Sequence, residues 1–523
     1  MKKLFGLLLL VSTLQLSAQT VNAVVENQSK YLKHTTSWGG EEKIGFADGS
    51  NIIQVEATAI KQPLVGYVSI VGHAIHALVI RKTDQDGTEI KVNKLEGGER
   101  AFGPMNTLAI EFHGKLLLFY YKHVNKVKME LFASELDRNS LELTNTRSLY
   151  SFPLTNTHTL IYGLRMFKDL QVKPSPDSSR LLLAASGLKD ELFTWVLDQK
   201  GDVQFSKTIQ VKGTDLSQLH DIAISNTGTI AVVYSKNYPA LFNQTFHWAA
   251  KAAIVINENK QEKQIDLEKE AAGGELLSPA LLIAKDGSKV FLGGDYYGPV
   301  RTEGIWLKEI SCADLKVGKT NRIPYPEEYI KQVADLGFGY NKRDKRGINE
   351  TKYQLIELDN GQLMLGGSPE EIYDSRSTFS NGHVIYFTGP IMMTFLDAKR
   401  KAVFTQIPRN NNNGPGAHSV FMPYGNKMVV IYTDYDKNIT GPLKANDVHQ
   451  KGGAVVRELS LAAAIVQTDG KIESRKLLAE GIGRMRFFNT SKAVIQNDKQ
   501  VIVPASGSDR KEKELKVAVI TID

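Results

Sequence analysis

Val172 to Gly187, VKPSPDSSRLLLAASG, sets a polar Ser-Pro-Asp-Ser-Ser turn between a short extended start and an apolar run that stops at Ser186-Gly187. A tight turn followed by such a run is the mark of a hairpin leading into a buried strand. Imperfect copies occupy Asp221 to Ser235, Pro279 to Asp295, Tyr353 to Ser368 and Ser419 to Asp434. A unit that returns about every 50 residues implies a solenoid or a propeller, and strand alternation without helical periodicity favours the propeller.

The remaining hairpins follow from the same reading. Ala47 to Ser50, Asp84 to Gly87, His113-Gly114 and Gln199 to Asp202 are turns between apolar runs, with residues suited to tight reversals. Grouping two hairpins per unit predicts an all-β chain: a single propeller of eight four-stranded blades, with seven as the alternative. The last unit, from Met485, runs out after Leu515 to Asp523, its third strand. Thr20 to Gln28 has no partner nearby in sequence. The expectation is that this N-terminal strand pairs with the C-terminal blade and closes the ring, which removes exposed edges.

Met1 to Gln19 has Lys2 and Lys3, an apolar centre from Leu4 to Val11, and small residues at Ser17 and Ala18. That order is the order of a signal peptide. Residues 1–18 are therefore expected to be removed and 19–523 to form the propeller domain, periplasmic or secreted. The apolar run is shorter than the ~20 residues that span a bilayer, so the chain is not expected to cross one. The single cysteine, Cys312, excludes an internal disulfide, so packing and strand pairing must hold the ring. A formal charge of +7, two of it in Lys2 and Lys3, is too mild to imply nucleic acid.

Strand alternation puts the links between second and third strands on the same face as the links between blades. That face collects the long connections: 236–247, 295–304, 369–389, 434–453 and 323–352. Long loops in a compact domain are where recognition residues gather. They carry Tyr238, His247, Tyr296, Tyr297, Arg301, Tyr373, Asp374, Arg376, Asp434, Tyr435, Asp436 and His449, the candidate ligand-binding residues. Aromatic planes stack on sugars and peptides while arginines and carboxylates fix polar groups; the alternative is that the tyrosines pack the loops against one another.

Catalytic and metal signatures are sparse. The sequence has no H-E-x-x-H, C-x-x-C or G-x-S-x-G; Gly366 to Glu370 has Glu where the last pattern needs its second glycine. Gly318-Lys319-Thr320 lacks the leading glycine of a phosphate loop, Ala313 standing there. Asp434, Asp436 and Asn438 alternate as in a calcium loop, without its glycine and closing glutamate. No cofactor is expected, with calcium at those three residues as the alternative.

At Ser175 to Leu183 the chain resembles the WD40-like repeats of TolB-type periplasmic propellers, in which Ser-Pro-Asp-Gly precedes an apolar strand; Ser178 replaces the glycine. Ala284 to Gly287 and Leu358 to Gly361 keep the turn without Ser-Pro. The resemblance implies fold and export, and carries over no catalytic residues. The function expected is a non-enzymatic propeller that binds a protein, peptide or glycan on its long-loop face. The alternatives are a polysaccharide-acting hydrolase or lyase, with carboxylates and histidines at the channel mouth, and a structural subunit of an envelope complex.

Overall fold

The computed structural model describes residues 21–28, 43–49, 51–61, 75–84, 88–99, 107–125, 128–153, 170–186, 191–211, 217–238, 247–270, 275–297, 302–336, 351–374, 384–409, 411–412, 419–441, 459–481, 487–490, 493–497, 499–506 and 515–523. Residues 1–18, expected to be a signal peptide, lie outside them. Among the described residues no helix is long and apolar enough to cross a membrane.

The chain is a β-propeller built from successive antiparallel meanders. Each meander begins as the sequence predicts, with an apolar run released by a tight turn. At the Ser-Pro-Asp-Ser turn, Ser175 N–H donates to the Arg180 carbonyl at 2.9 Å and Asp177 Oδ1 accepts from the Ser175 hydroxyl at 2.7 Å. Ser178, in the place of the glycine, has a φ of 55°, a left-handed conformation that costs a side chain energy and that the turn's hydrogen bonds maintain.

The expected eight, or seven, equal four-stranded blades are not what forms. Among the described residues five sheets stand alone: four are four-stranded and one is five-stranded. The four run from Lys43–Asp48 to Glu89–Glu99, from Thr107–Phe112 to Leu143–Pro153, from Gln171–Pro174 to Val203–Gln210, and from Val420–Tyr424 to Ile472–Ala479. The other strands merge into an eight-stranded and a six-stranded sheet. In the first merger a single pairing, Ala249 with Leu277, joins strand His247–Ile256 to strand Glu275–Ile283. On the other side of strand Glu275–Ile283, Gly294 lets strand Lys289–Tyr297 lie close where the pairing is irregular, because a Cβ there would overlap the carbonyls of Leu277 and Ser278.

In the second merger, strand Leu363–Asp374 changes partner at Pro369. Leu363 to Gly367 pair with Ile391–Leu396, and Glu370 to Asp374 pair with Val384–Thr388. Proline has no N–H to give to a ladder, so the strand exchanges neighbours there at little cost. The stretch 369–389, expected as an irregular connection, thus contributes two paired arms. The connection 323–352 likewise contains a helix, Glu327–Asp335, whose Tyr329 and Val333 are buried.

The five-stranded sheet fastens the chain's ends. Val21–Gln28 pairs antiparallel with Leu515–Ile522 over its full length, from Val21 opposite Ile522 to Gln28 opposite Leu515. This is the pairing expected of the N-terminal strand. Lys43–Asp48 of the first sheet touches Val494–Asn497 of this last one, and the first strands of successive units touch in turn from Thr107–Phe112 to Val420–Tyr424. The first strands therefore sit innermost. Apolar clusters fill the spaces between neighbouring sheets: Phe119 and Leu131 meet Leu183 and Trp195, while Met364 and Met393 meet Val430 and Tyr432. Period-two alternation lets each strand feed the clusters on both of its sides.

Candidate functional site

The face onto which the second strands deliver the chain is polar at its base. Counting from the start of the apolar run, the sixth residue is Ser186, Ser235, Asp295, Ser368, Thr433 or Ser506 in six of the second strands, and Ala57 or Tyr121 in those of the first two sheets. Ser235, Asp295, Ser368 and Thr433 are all buried. A buried polar group is stable only if hydrogen-bonded, and partners arrive from neighbouring strands and connections. Ser235 Oγ lies 2.8 Å from His220 Nδ1. Ser368 Oγ accepts from Arg409 Nη2 at 2.8 Å.

Asp295 makes the first of two prominent nodes. Its side chain is 1% exposed, and its Oδ1 accepts from the hydroxyls of Tyr325 at 2.7 Å and Tyr353 at 2.8 Å. The two hydroxyls are themselves 2.9 Å apart. Tyr325 enters from the connection after strand Asn321–Pro324, where it packs against Tyr329 and Phe404. Tyr353, half-buried, comes from the innermost strand of the following unit, Thr351–Glu357. Burial, and then the charge of Asp295, push the Tyr325 hydroxyl well above its ordinary range. It therefore holds its proton and acts as a donor.

Asp434, also 1% exposed, makes the second. Its Oδ1 accepts from the Tyr435 N–H and from Asn438 Nδ2, each at 2.8 Å, at the entrance to the short helix Asp436–Thr440. Arg409 is fully buried nearby and donates through Nε to the Gly389 carbonyl at 3.0 Å and through Nη1 to that of Thr433 at 3.4 Å. Arg475 holds the helix exit, donating to the carbonyls of Asn438 and Gly441. Burial pushes the Asp434 carboxyl up to about 7, against the downward pull of Asn438, Arg409, the Tyr435 N–H and Arg475.

The candidate residues divide by this geometry. Tyr296 is 9% exposed, with the Arg322 guanidinium 5.7 Å from its ring centre, and Tyr435 is 5% exposed. Both pack the bases of their connections. Tyr297 is half-buried and Asp436 exposed. Tyr238 and His247 are brought opposite each other as strand partners, while Tyr373 and Asp374 pair with Ile385 and Val384. Arg301, Arg376 and His449 lie outside the described residues. In the calcium candidate, Asn438 turns its amide N–H toward Asp434, and Asp436 stands exposed on the helix. Among the described residues no group of three His, Cys, Asp or Glu side chains could hold a metal ion.

Sequence reasoning missed Tyr325, Tyr353 and Arg409. The available signal was the recurrence of a small polar residue at the sixth position, which demands partners without naming them.

No protein-family model matches the sequence, and no curated protein matches it. Among solved structures the chain is similar to the polysaccharide lyase Uly1, at 10% identity and a TM-score of 0.41 over 95% of this chain and 93% of that one. It is also similar to the β-propeller domain of the Trilobed protease from Pyrococcus furiosus, at 11% identity and a TM-score of 0.33 over 84% and 99%. A third is the hydrazine synthase of Kuenenia stuttgartiensis, at 13% identity and a TM-score of 0.34 over 72% and 89%. Similarity at this level bears on neither substrate nor activity.

Proposed function

We propose that the chain is an exported, non-enzymatic propeller that binds a protein, peptide or glycan through the face on which its long connections gather. One observation supports this reading: four of the second strands end there in buried polar residues, and Ser235, Asp295, Ser368 and Asp434 have fixed partners, a rigid base on which recognition loops are held. Binding loops work best on such a base, because residues held in place beforehand lose less freedom on association. Export rests on the basic, apolar and small-residue order of Met1 to Ala18.

The nodes favour binding over hydrolysis or elimination. Asp295 is closed over by two tyrosines, and Asp434 is engaged by the backbone and an amide. A glycosidic acid and base would instead be a pair of carboxyls open to the sugar.

The test screens the mature protein, residues 19–523, against peptide and glycan arrays, with Tyr297→Ala and Asp436→Ala as variants on that face. Specific capture that either substitution weakens is the expected result. Capture indifferent to both, or cleavage of any polysaccharide on the array, overturns the reading.

A further inference from the structure

The ring is not packed alike all the way round. Apolar clusters join each unit to the next from the first sheet to the last. At the start Ile53, Val55, Leu78 and Ile80 meet Leu116 and Leu118 of the second sheet, and at the end Val429 and Leu461 meet Val501 and Ile522 of the last. No apolar cluster of the described residues joins the last sheet back to the first. These two touch where Lys43–Asp48 meets Val494–Asn497 and Gln500–Ser506.

The flank of the first sheet that faces this junction differs in kind from its other flank. Strand alternation sends Ile53, Val55, Leu78 and Ile80 toward the second sheet, and Gln54, Val79, Arg81 and Thr83 the opposite way. Gln54 and Thr83 are buried and Arg81 largely so. Thr83 Oγ1 is buried with no hydrogen-bond partner. Val92, opposite Arg81 on the outer strand, is 44% exposed. Apart from Val79, the buried part of this flank is polar.

The pairing of the chain's ends does not make up the difference. Val21 and Ile522 enter the cluster shared with the preceding sheet, and Val21–Gln28 touches Ile472–Ala479 of that sheet. The first sheet is tied in turn to the second, where Arg138 Nη1 lies 3.6 Å from Asp48 and Asn93 Nδ2 donates to the Leu141 carbonyl at 2.7 Å. Each of the two is thus held on its far side. Parting an apolar junction exposes surface that water disfavours, whereas polar groups at a parted junction regain hydrogen bonds with water. The stranded Thr83 hydroxyl would gain one that it lacks.

We propose that the ring opens at the junction of its last and first sheets, the two parting while each stays folded and packed against its other neighbour. This does not depend on what the long-loop face binds. Thiol labelling of the mature protein with dithiobis(nitrobenzoate) reads such openings, because a buried cysteine reacts only while its surroundings are open. Val79→Cys reports the junction; Val55→Cys is the same substitution on the apolar flank of the same sheet. Cys312 is buried, with its thiol pushed up to about 11, and gives a background measured in the wild type. Val79→Cys should react about tenfold or more faster than Val55→Cys. Thr83→Val, added to Val79→Cys, removes the stranded hydroxyl and should slow that labelling about fivefold or more. Should Val79→Cys not fold, Thr83→Cys takes its place and the comparison with Val55→Cys decides. Equal rates on the two flanks, which would mean that the first sheet unfolds as a whole, would overturn the proposal. So would faster reaction of Val55→Cys, no reaction of Val79→Cys above the Cys312 background, or labelling undiminished by Thr83→Val.

Discussion

Asp295-Tyr296 and Asp434-Tyr435 are the same dipeptide at the end of a second strand, yet the two aspartates are handled in opposite ways. Counted from the start of the run, Asp295 is the sixth residue and Asp434 the seventh, after Thr433. One position along a strand reverses the side on which a side chain emerges. Asp295 therefore meets Tyr353 of the following unit, while Asp434 turns back toward the unit before it, near Arg409. The first carboxylate accepts through Oδ1 from two neutral hydroxyls, the second from an amide and a backbone N–H beside buried positive charge. Register, rather than residue type, decides which chemistry each receives.

The largest expected effect is a pH dependence at Asp434. In the folded chain its carboxyl holds a proton up to about pH 7, whereas in the unfolded chain it loses it near pH 4. Unfolding in that interval releases a proton, so this group's contribution to stability falls as pH rises from about 4 to about 7 and then levels off. A shift of this size corresponds to roughly 4 kcal/mol. Urea denaturation at several pH values should show Asp434→Asn gaining on the wild type across that window. Asn438→Ala, which removes a downward pull on the carboxyl, should move the window to higher pH.

Gly294→Ala probes the backbone beneath the other node, where Tyr432 occupies the equivalent fifth position of the Asp434 strand. A methyl group pressed on two carbonyls should cost about 3 kcal/mol, seen as a lowered melting temperature. Asp295→Ala should cost about 2 to 3 kcal/mol by stranding two tyrosine hydroxyls, and Asp295→Asn less, because the amide oxygen still accepts. Tyr353→Phe should cost about 1 kcal/mol, since Tyr325 continues to occupy the carboxylate. An equal loss in Tyr353→Phe and Asp295→Ala, by chemical denaturation, would break the picture of one shared acceptor.

The legible part of this molecule is local. Turns such as His113-Gly114 and Gly201 show in the sequence because positive φ favours small or specialised residues. The long-loop face followed from strand alternation, and the closing strand from an unpaired apolar segment at the other end of the chain. The buried state of Tyr296 and Tyr435 was open, because a loop tyrosine reads alike whether it packs or faces solvent. Tyr325 and Tyr353 reach Asp295 from 30 and 58 residues away, and nothing in their own neighbourhoods marks that destination.

What the amino-acid sequence determined by itself was the strand period, the turns and the small polar residue at the sixth position, because these answer to neighbours along the chain. Tertiary structure alone decided the merging of sheets at Ala249 and Leu277, the exchange of partners at Pro369 and the partner of each buried carboxylate. Those depend on how closely separate strands approach and on which side a one-residue shift turns a side chain, and both are set only when distant segments pack.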